Sequence, residues 1–473
     1  MKNFRPVSHL VEIGKLVEYA VYDQVSEHFL SNNLFHKNHH GGLPHHSTAT
    51  ALIQLHDMFL EAAENKKLLA ALLLDQSAAY DLLDHDILLE KLAAYNFDQN
   101  SISWFQSYLG GRSQSVQVET KQSAKEDLLD HAAPQGSILG GLLFLIHEND
   151  FPACRIEGES VLFVDDDTDC VSDSDPVKLM EKIEIEARAS CDWLKDNRMC
   201  VAGEKSKLLI IGTKELKKNK LDDQAKSIMV DGKQVVETSS EKLLGVILNN
   251  HLTWKEHLHG ETWRDDGNSP GLIPQLAQRV GILKKLSSFT SKKRLKGIAA
   301  GLFYSKLTYC LPLFVNTWGL SSYKEGGTRY SSFTKEDNRK MQVLQNKVAR
   351  LLIARKSYDL YNMSTEELLT HSGDLSVHQM GALQTLMMTK KILMNQKPQY
   401  LAEKLKTAEN NGTRSGSVMP EEKTTLGLSR EGFVFRATRL YNLLPEELKN
   451  ETKIGKFKMM TKRWVKTKVA VKP

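Results

Sequence analysis

Apolar and polar positions follow two patterns along the chain, one typical of buried strands and one of amphipathic helices. Continuous apolar runs at residues 68–74 and 161–164 have the length of buried strands. Apolar residues spaced three or four positions apart predict helices over 47–64, 86–95 and 176–195. Both apolar runs end directly in aspartates, so the chemistry of the chain is expected where its predicted strands stop.

Other helices follow from the same spacing and from local capping signals. A helix is predicted to begin near Ser137, and Asp175 with Pro176 predicts an N-cap and a first helical residue. The last of these helices is expected to pack on the sheet through Val177, Met180, Ile183 and Ala187. A helix near the start carries one apolar face and another carries a stripe near residue 345: Leu10, Ile13, Leu16, Val17 and Ala20; Met341, Leu344, Val348 and Leu351.

The second apolar run meets the acidic cluster Asp165–Asp167, with Asp169 just behind it. Adjacent carboxylates beside a buried strand are costly unless a cation neutralises them, and Mg²⁺ prefers such oxygen ligands. A calcium loop starting at Asp165 would need Gly and Glu where Cys170 and Pro176 stand, so that site is excluded. A solvated acidic turn remains the alternative.

A second carboxylate, Asp75, ends the first apolar run about ninety residues upstream. Together with Asp165 and Asp166 it could hold two metal ions about 3.5–4 Å apart, which is the arrangement used for in-line displacement at phosphorus. The sequence therefore predicts polymerase or nuclease chemistry.

Five motifs occur in a distinctive order: LLLDQSAAYD (72–81), APQGSILGGLLF (133–144), LFVDD (162–166), GEKSKLLIIGT (203–213) and KLLGVIL (242–248). They resemble the motifs of reverse transcriptases, above all those of non-LTR (LINE-like) retrotransposons of the jockey and CR1 type. The resemblance implies an α+β, right-hand polymerase fold. Its parts would be fingers and palm at 1–258, with a mixed or antiparallel sheet flanked by helices, a helical thumb-like region at 259–330, and a helical, basic C-terminal region at 331–473.

The resemblance also implies an activity, RNA-directed DNA polymerase, with an RNA template, a DNA primer and deoxynucleoside triphosphates as partners. Its catalytic and metal-binding residues would be Asp75, Asp165 and Asp166, holding two Mg²⁺ ions for which Mn²⁺ can substitute. The run of three aspartates leaves the register open. If Asp165 is the first of the pair, Asp167 falls where the family often has Thr; if Asp166 is the first, Asp165 replaces a small apolar residue. Strand geometry favours the first reading.

Further binding residues are carried over from the family motifs. Those near the nucleotide would be Arg5, Tyr80, Gln135, Gly136 and Lys205; those gripping the primer end would be Leu244 and Gly245. Tyr80 would lie under the sugar and exclude a 2′-hydroxyl, with a buried palm tyrosine as the alternative. Lys205 would protonate or neutralise the pyrophosphate, with a surface lysine as the alternative, given Lys207 nearby.

A run of cations predicts a nucleic-acid backbone contact in the thumb-like region: Lys284, Lys285, Lys292, Lys293, Arg294 and Lys296. The alternative is a solvated helix face. The loop at 35–52 carries five histidines and is expected to be a fingers loop, with a histidine metal site as the alternative.

Three positions depart from the family pattern: Leu43 stands near an expected Arg, Gly141 where Pro is usual, and Glu148 where the family has a hydrophobic residue. They keep two alternatives open, a catalytically impaired relic and a host protein that retains nucleic-acid binding only. A structure-specific nuclease also uses two metals, but the motif order argues against it.

Composition limits the compartment and partners that are expected for the protein, but it does not indicate a function. The net charge is only +5, from 63 Lys and Arg against 58 Asp and Glu, so the distribution of charge matters more than its sum. The five scattered cysteines contain no CxxC pair and fit a reducing compartment. No apolar run reaches membrane-spanning length, so we expect an intracellular protein of the nucleus or cytoplasm, with no membrane partner.

Overall fold

The computed structural model describes residues 8–77, 79–127, 131–133, 136–221, 226–260, 270–315, 333–353, 362–406, 419 and 429–469. The chain divides into two compact units that interleave in sequence. The first comprises Met1–Ser47, Leu69–Ile210 and Lys220–Glu237, and the second Thr48–Leu68, Ile211–Asn219 and Thr238–Pro473. The domain boundaries expected at 258 and 330 remain predictions.

The helices, in chain order, are α1 (Glu12–Ser31), α2 (Thr48–Glu64), α3 (His85–Ala94), α4 (Gln99–Leu109), α5 (Ile138–His147), α6 (Pro176–Asp196), α7 (Lys214–Lys220), α8 (Lys255–His259), α9 (Leu272–Leu286), α10 (Lys292–Ala299), α11 (Ser305–Thr308), α12 (Leu311–Phe314), α13 (Lys335–Leu352), α14 (Thr365–Ser372), α15 (Val377–Asn395), α16 (Gln399–Lys404), α17 (Phe433–Asn442), α18 (Glu446–Lys449) and α19 (Ile454–Lys468). A π-helical segment, Ala300–Tyr304, follows α10.

The strands are β1 (Leu68–Ser77), β2 (Ser113–Gln114), β3 (Gln117–Val118), β4 (Lys121–Gln122), β5 (Glu126–Asp127), β6 (Glu159–Phe163), β7 (Asp166–Asp173), β8 (Cys200–Val201), β9 (Lys207–Ile211), β10 (Ser227–Val230), β11 (Lys233–Val236), β12 (Ser240–Leu243) and β13 (Val246–Asn249).

The core of the first unit is a sheet with strand order β6-β7-β1-β8, in which β9 also pairs with β1. Strands β6 and β7 are antiparallel, as are β1 and β8. Strand β1 is apolar on both faces and almost wholly buried from Leu68 to Leu72, which requires cover on both sides of the sheet. Helix α6 packs against β7. The predicted α+β class, with a mixed or antiparallel sheet flanked by helices, is confirmed.

Helix α6 confirms the predicted N-cap and part of the predicted apolar stripe. The Asp175 side chain accepts a hydrogen bond from the Val177 backbone N–H, and Pro176 is the first helical residue, as predicted. The buried stripe contains Ile183 and Ala187 as expected, but Val177 is 67% exposed. The stripe starts at Leu179 instead, and Val177 lies two residues, about 200°, away from it, so its predicted packing on the sheet is wrong.

Helix α1 is present, but its apolar face is exposed. Ile13, Leu16 and Val17 are 72%, 68% and 49% exposed, whereas Val25 and Phe29 on the opposite side are buried. The helix packs against α5, and the buried Glu18 of α1 accepts a hydrogen bond from the Ile138 N–H at the start of α5. Spacing alone identified an apolar face on this helix but not the face that is buried.

The second unit is mainly helical and includes the hairpin β12–β13. Helix α9 packs on α10 and α13, while α15 packs on α17 and α19. Helix α13 begins with a capping box between Thr334 and Asp337. Of its predicted apolar stripe, Met341, Leu344 and Val348 are buried, whereas Leu351 is half-buried. No helix in the described residues is long and apolar enough to cross a membrane.

Candidate active site

The acidic cluster lies at the turn that joins β6 to β7. Phe163 pairs with Asp166, so Val164 and Asp165 form a two-residue hairpin loop. Val164 has a φ of 62°, a left-handed conformation that is uncommon for a β-branched residue and indicates local strain. The turn leaves Asp165 half-buried and Asp166 exposed at the start of β7.

Strand β1 lies next to β7 in the sheet and carries Asp75. The pKa of the Asp166 carboxyl is raised, first because surrounding protein removes it from water, and then by the negative charges of Asp165 and Asp75. Asp75 is therefore close enough to Asp166 for their charges to repel, although about ninety residues separate them in the chain.

Lys205 is the cation beside this group. Its Nζ lies 3.5 Å from Asp75 Oδ1, and both side chains are about half exposed, at 62% and 46%. The backbone supports the approach, because the Ala202 N–H donates to the Asp75 carbonyl and the Lys205 N–H donates to the Ala202 carbonyl. Lys205 therefore reaches the predicted site, while its role there remains a prediction.

The carboxylates fit a hard divalent cation in kind. All three offer oxygen donors close to solvent, and Lys205 offsets part of their mutual repulsion through its approach to Asp75. No three His, Cys, Asp or Glu side chains in the described residues are placed to hold a metal ion by themselves. Substrate phosphates and water would complete the coordination, as is usual for Mg²⁺.

Tyr80 lies beside the same turn. Its ring stacks on Phe144 of α5, with centroids 4.7 Å apart, and its pKa is raised by burial and then by the charges of Asp165 and Glu148. The Ala133 N–H donates to the Tyr80 carbonyl, which brings the first residue of the APQGSILGGLLF motif to this tyrosine. Gly136 is exposed, with a φ of 104°. Arg5 and Gln135 lie outside the described residues.

A carboxyl group already occupies the N-terminus of α5, the helix that begins within the APQGSILGGLLF motif. Glu18 of α1 is buried and accepts hydrogen bonds from the Ile138 N–H and the Tyr108 hydroxyl, both at 2.7 Å. Ser137 caps the helix by accepting from the Gly140 N–H. A nucleotide contact at Gly136 would therefore use backbone outside the first turn of α5. Glu18 lies 120 residues from Ile138, so no local pattern indicated this contact.

Behind the turn lies a group that sequence reasoning missed, here termed the buried acid cluster: Gln76, Glu148 and Asp167. The Gln76 amide donates to Glu148 at 2.5 Å and to Asp167 at 2.7 Å. One oxygen of each of the three side chains is buried and has no hydrogen-bond partner among the residues that the structure describes. Burial raises the pKa of Asp167 to about 8, and the charges of Asp169 and Asp165 add to that rise. Burial also raises the pKa of Glu148 well above its usual range, and there the charge of Asp167 adds to it.

The next inward residue of β7, Asp169, has very different surroundings. It forms an ion pair with Arg155 at 2.5 Å and accepts hydrogen bonds from the hydroxyls of Ser160 and Ser190. Arg155 also lies 3.6 Å from Glu186, whose carboxylate accepts from the backbone N–H groups of residues 156–158. Every carboxylate in this group therefore has donors.

The histidine-rich loop docks on the strand that leads to the turn. The His40 N–H donates to the Leu162 carbonyl at 2.8 Å, and the Leu162 N–H donates to Asn38 at 3.1 Å. A Cβ on Gly41 would lie 2.4 Å from the Val164 nitrogen, so only glycine fits against the turn. None of these histidines belongs to a metal-binding group in the described residues, so the metal-site alternative gains no support.

The remaining predicted residues lie in the second unit. Leu244 and Gly245 form the two-residue loop of the β12–β13 hairpin, both with positive φ, and the Tyr309 hydroxyl donates to the Leu244 carbonyl at 2.6 Å. The hairpin is therefore present as expected, and its grip on a primer remains a prediction. The predicted backbone-binding cations are all exposed on α9 and α10: Lys284, Lys285, Lys292, Lys293, Arg294 and Lys296.

Comparison with known proteins identifies the family to which this chain belongs. The model of "Reverse transcriptase (RNA-dependent DNA polymerase)" matches residues 1–248. The RNA-directed DNA polymerase from mobile element jockey of Drosophila funebris is 26% identical over 65% of this chain and 33% of its own length. Its Drosophila melanogaster counterpart is 23% identical over 86% of this chain and 41% of its own length, so the chain spans about two fifths of these relatives or less.

A solved structure of apo telomerase from Candida tropicalis aligns with 82% of this chain and 60% of its own, at 11% identity. The TM-score is 0.36, and the likeness supports no conclusion of its own.

Proposed function

Because the chain belongs to the reverse transcriptase (RNA-dependent DNA polymerase) family, we propose that it extends a DNA primer on an RNA template, using deoxynucleoside triphosphates. The observation that carries the proposal is the β6–β7 turn, which holds Asp165 and Asp166 beside the strand of Asp75. Likeness to the jockey polymerases extends the proposal to a non-LTR retrotransposon enzyme acting in the nucleus or cytoplasm.

Asp75 and Asp165, with Asp166 as the third ligand, are the residues that would hold Mg²⁺ or Mn²⁺. Bound there, two such ions would favour the ionised 3′-hydroxyl and neutralise charge on the triphosphate. The strained turn at Val164 holds Asp165 and Asp166 at the end of the hairpin, so these carboxylates need little reorganisation before substrate arrives. Asp167 is buried in the acid cluster, which favours Asp165 as the first residue of the pair.

The other residues would orient the reactants. Lys205, held near Asp75, would meet the charge of the leaving pyrophosphate. Tyr80, fixed by its stacking on Phe144, would lie under the sugar and reject a 2′-hydroxyl. Leu244 and Gly245 would approach the primer end, and the cations of α9 and α10 would follow the duplex backbone. Arg5, Gln135 and Gly136 are proposed to contact the nucleotide on the strength of the family motifs alone.

Primer extension on poly(rA) with oligo(dT) tests the proposal. We expect divalent-cation-dependent incorporation that Asp165→Asn abolishes, while Glu181→Gln on the exposed face of α6 leaves it unchanged. Full incorporation by Asp165→Asn would overturn the catalytic assignment. An inactive wild type that still binds RNA would instead favour the relic or binding-only alternative, for which the two buried acids that share one amide donor behind the turn offer a physical cause.

A further inference from the structure

The connection between α9 and α10, here termed the α9–α10 tip, comprises residues 287–291 and presents an isolated aromatic ring. Phe289 is 87% exposed, more than any other large apolar side chain in the described residues. Single exposed apolar residues are common and need no explanation alone. The backbone that presents this ring and the charge around it distinguish it from such residues.

The backbone of the tip is ordered. The Phe289 N–H donates to the Leu286 carbonyl at 3.0 Å, and the Ser288 N–H donates to the Lys285 carbonyl at 3.3 Å. Leu283 and Leu295, on the two helices that flank the tip, are 1% and 0% exposed and anchor it in the core. The ring is therefore held in solvent by structured backbone, and a ligand would not need to order the loop first.

The charge around the ring has one sign. Residues 270–315 contain eight Lys and Arg and no Asp or Glu. Lys284, Lys285, Lys293 and Arg294 flank the tip, are exposed, and form no ion pair within the described part of the chain. By contrast, α6 mixes both signs along its exposed side. A merely solvated face would not need to exclude acidic residues over so long a stretch.

Cations around a lone aromatic ring match the chemistry of single-stranded nucleic acid, whose phosphates need positive charge and whose unpaired bases stack on aromatic faces. An anionic membrane would attract the same cations, but interfacial helices bury a continuous apolar face rather than one ring. We propose that Phe289 stacks on an unpaired base of a nucleic-acid strand whose phosphates contact Lys284, Lys285, Lys293 and Arg294. This deepens the proposed function by adding a base contact to a backbone contact, but it requires binding only and not catalysis.

The test is equilibrium binding of the full chain to a short single-stranded oligonucleotide that contains 2-aminopurine, without nucleotides, over about 50–200 mM salt. We expect Phe289→Ala to weaken binding roughly 5- to 100-fold and to abolish the quenching caused by stacking, with the salt dependence unchanged. Lys284→Ala should instead lower the slope of log K against log salt by about 0.7. Phe289→Trp should retain affinity and quenching. Ile282→Ala, which removes another exposed apolar side chain of α9, should change neither.

Several results would overturn the proposal. Wild-type affinity and quenching in Phe289→Ala would show that the ring is not used, and failure of the wild type to bind the oligonucleotide would remove the site. Loss of binding to vesicles of phosphatidylserine and phosphatidylcholine in Phe289→Ala, with oligonucleotide binding intact, would assign the tip to a membrane. Because the assay needs no turnover, a chain inactive in primer extension can still support the proposal, and an active one can still refute it.

Discussion

Strand β7 carries two buried aspartates two positions apart, and the charge that faces each is different. Asp169 meets Arg155 and two serine hydroxyls. Asp167 meets one amide, from Gln76, which it shares with a second carboxyl, Glu148. Both aspartates are at most 1% exposed, so burial does not distinguish them. The difference lies in the number of donors and in the cation.

This difference bears on the protonation of Asp167 and Glu148, because two buried carboxyls around one amide favour protonated forms and both pKa values are raised. Asp169 instead has a cation and two hydroxyl donors that offset the cost of its burial. The buried acid cluster lies next to the residues proposed for catalysis, because Gln76 follows Asp75 in the chain and Asp167 follows Asp166. Four substitutions test the comparison. They remove the cation of Arg155, the buried carboxyl of Asp167, the half-buried charge of Asp165 and the exposed cation of Lys205.

Arg155→Met should give the largest effect. Removing the guanidinium leaves Asp169 and Glu186 buried without their cation, so the free energy of unfolding should fall by about 3–5 kcal/mol. Urea denaturation measures this at neutral pH. Arg188→Met is the matched control, since Arg188 pairs at 3.6 Å with Glu184 on the exposed side of the same region, and should change stability by less than about 0.5 kcal/mol. A small effect in Arg155→Met would mean that Asp169 does not rely on its partner.

Stability should also depend on pH through Asp167. Its pKa in the folded state is raised to about 8, so the folded protein holds a proton that the unfolded chain releases near pH 4. The free energy of unfolding should therefore fall as pH rises from about 4 to 8, by roughly 2–3 kcal/mol, and level off above that.

Asp167→Asn isolates this contribution, because the amide cannot ionise. The variant should lose most of that decline and be more stable than the wild type at pH 8. Asp169→Asn is the contrasting variant and should be less stable at every pH, since it leaves Arg155 without its closest carboxylate. Equal pH profiles for the wild type and Asp167→Asn would show that Asp167 is ionised throughout.

These two aspartates also mark the limit of sequence reasoning. The runs 68–74 and 161–164 and the caps of α6 identified the strands, the helix and the acidic turn, because each depends on neighbouring residues. The Gln76–Glu148 and Gln76–Asp167 contacts join residues 72 and 91 positions apart, and spacing has no access to such pairs. The buried face of α1 and the exposure of Val177 were missed for the same reason, as packing partners decide both.

Asp165→Asn should have a smaller effect of the opposite sign. Part of the raised pKa of Asp166 comes from the charges of Asp165 and Asp75, so removing one charge should relieve repulsion. We expect the free energy of unfolding to rise by about 0.5–1 kcal/mol at pH 7 without divalent ions, and the gain to shrink in high salt. Glu181→Gln, which removes an exposed charge of α6, should have no such effect. A loss of stability in Asp165→Asn would mean that its carboxylate holds the turn together.

Lys205→Gln should change stability least. Its pair with Asp75 is 3.5 Å long and about half exposed on both sides, so solvent screens most of the attraction, and the free energy of unfolding should shift by no more than about 0.5 kcal/mol. If Lys205 serves the triphosphate, the same change should raise KM for deoxynucleotide in primer extension, while Lys207→Gln two residues away should not. A stability loss well above 1 kcal/mol with KM unchanged would make Lys205 a structural counter-ion of Asp75. Asp75 would then resemble Asp169, since both would be carboxylates whose charge is offset by a neighbouring cation, unlike Asp167.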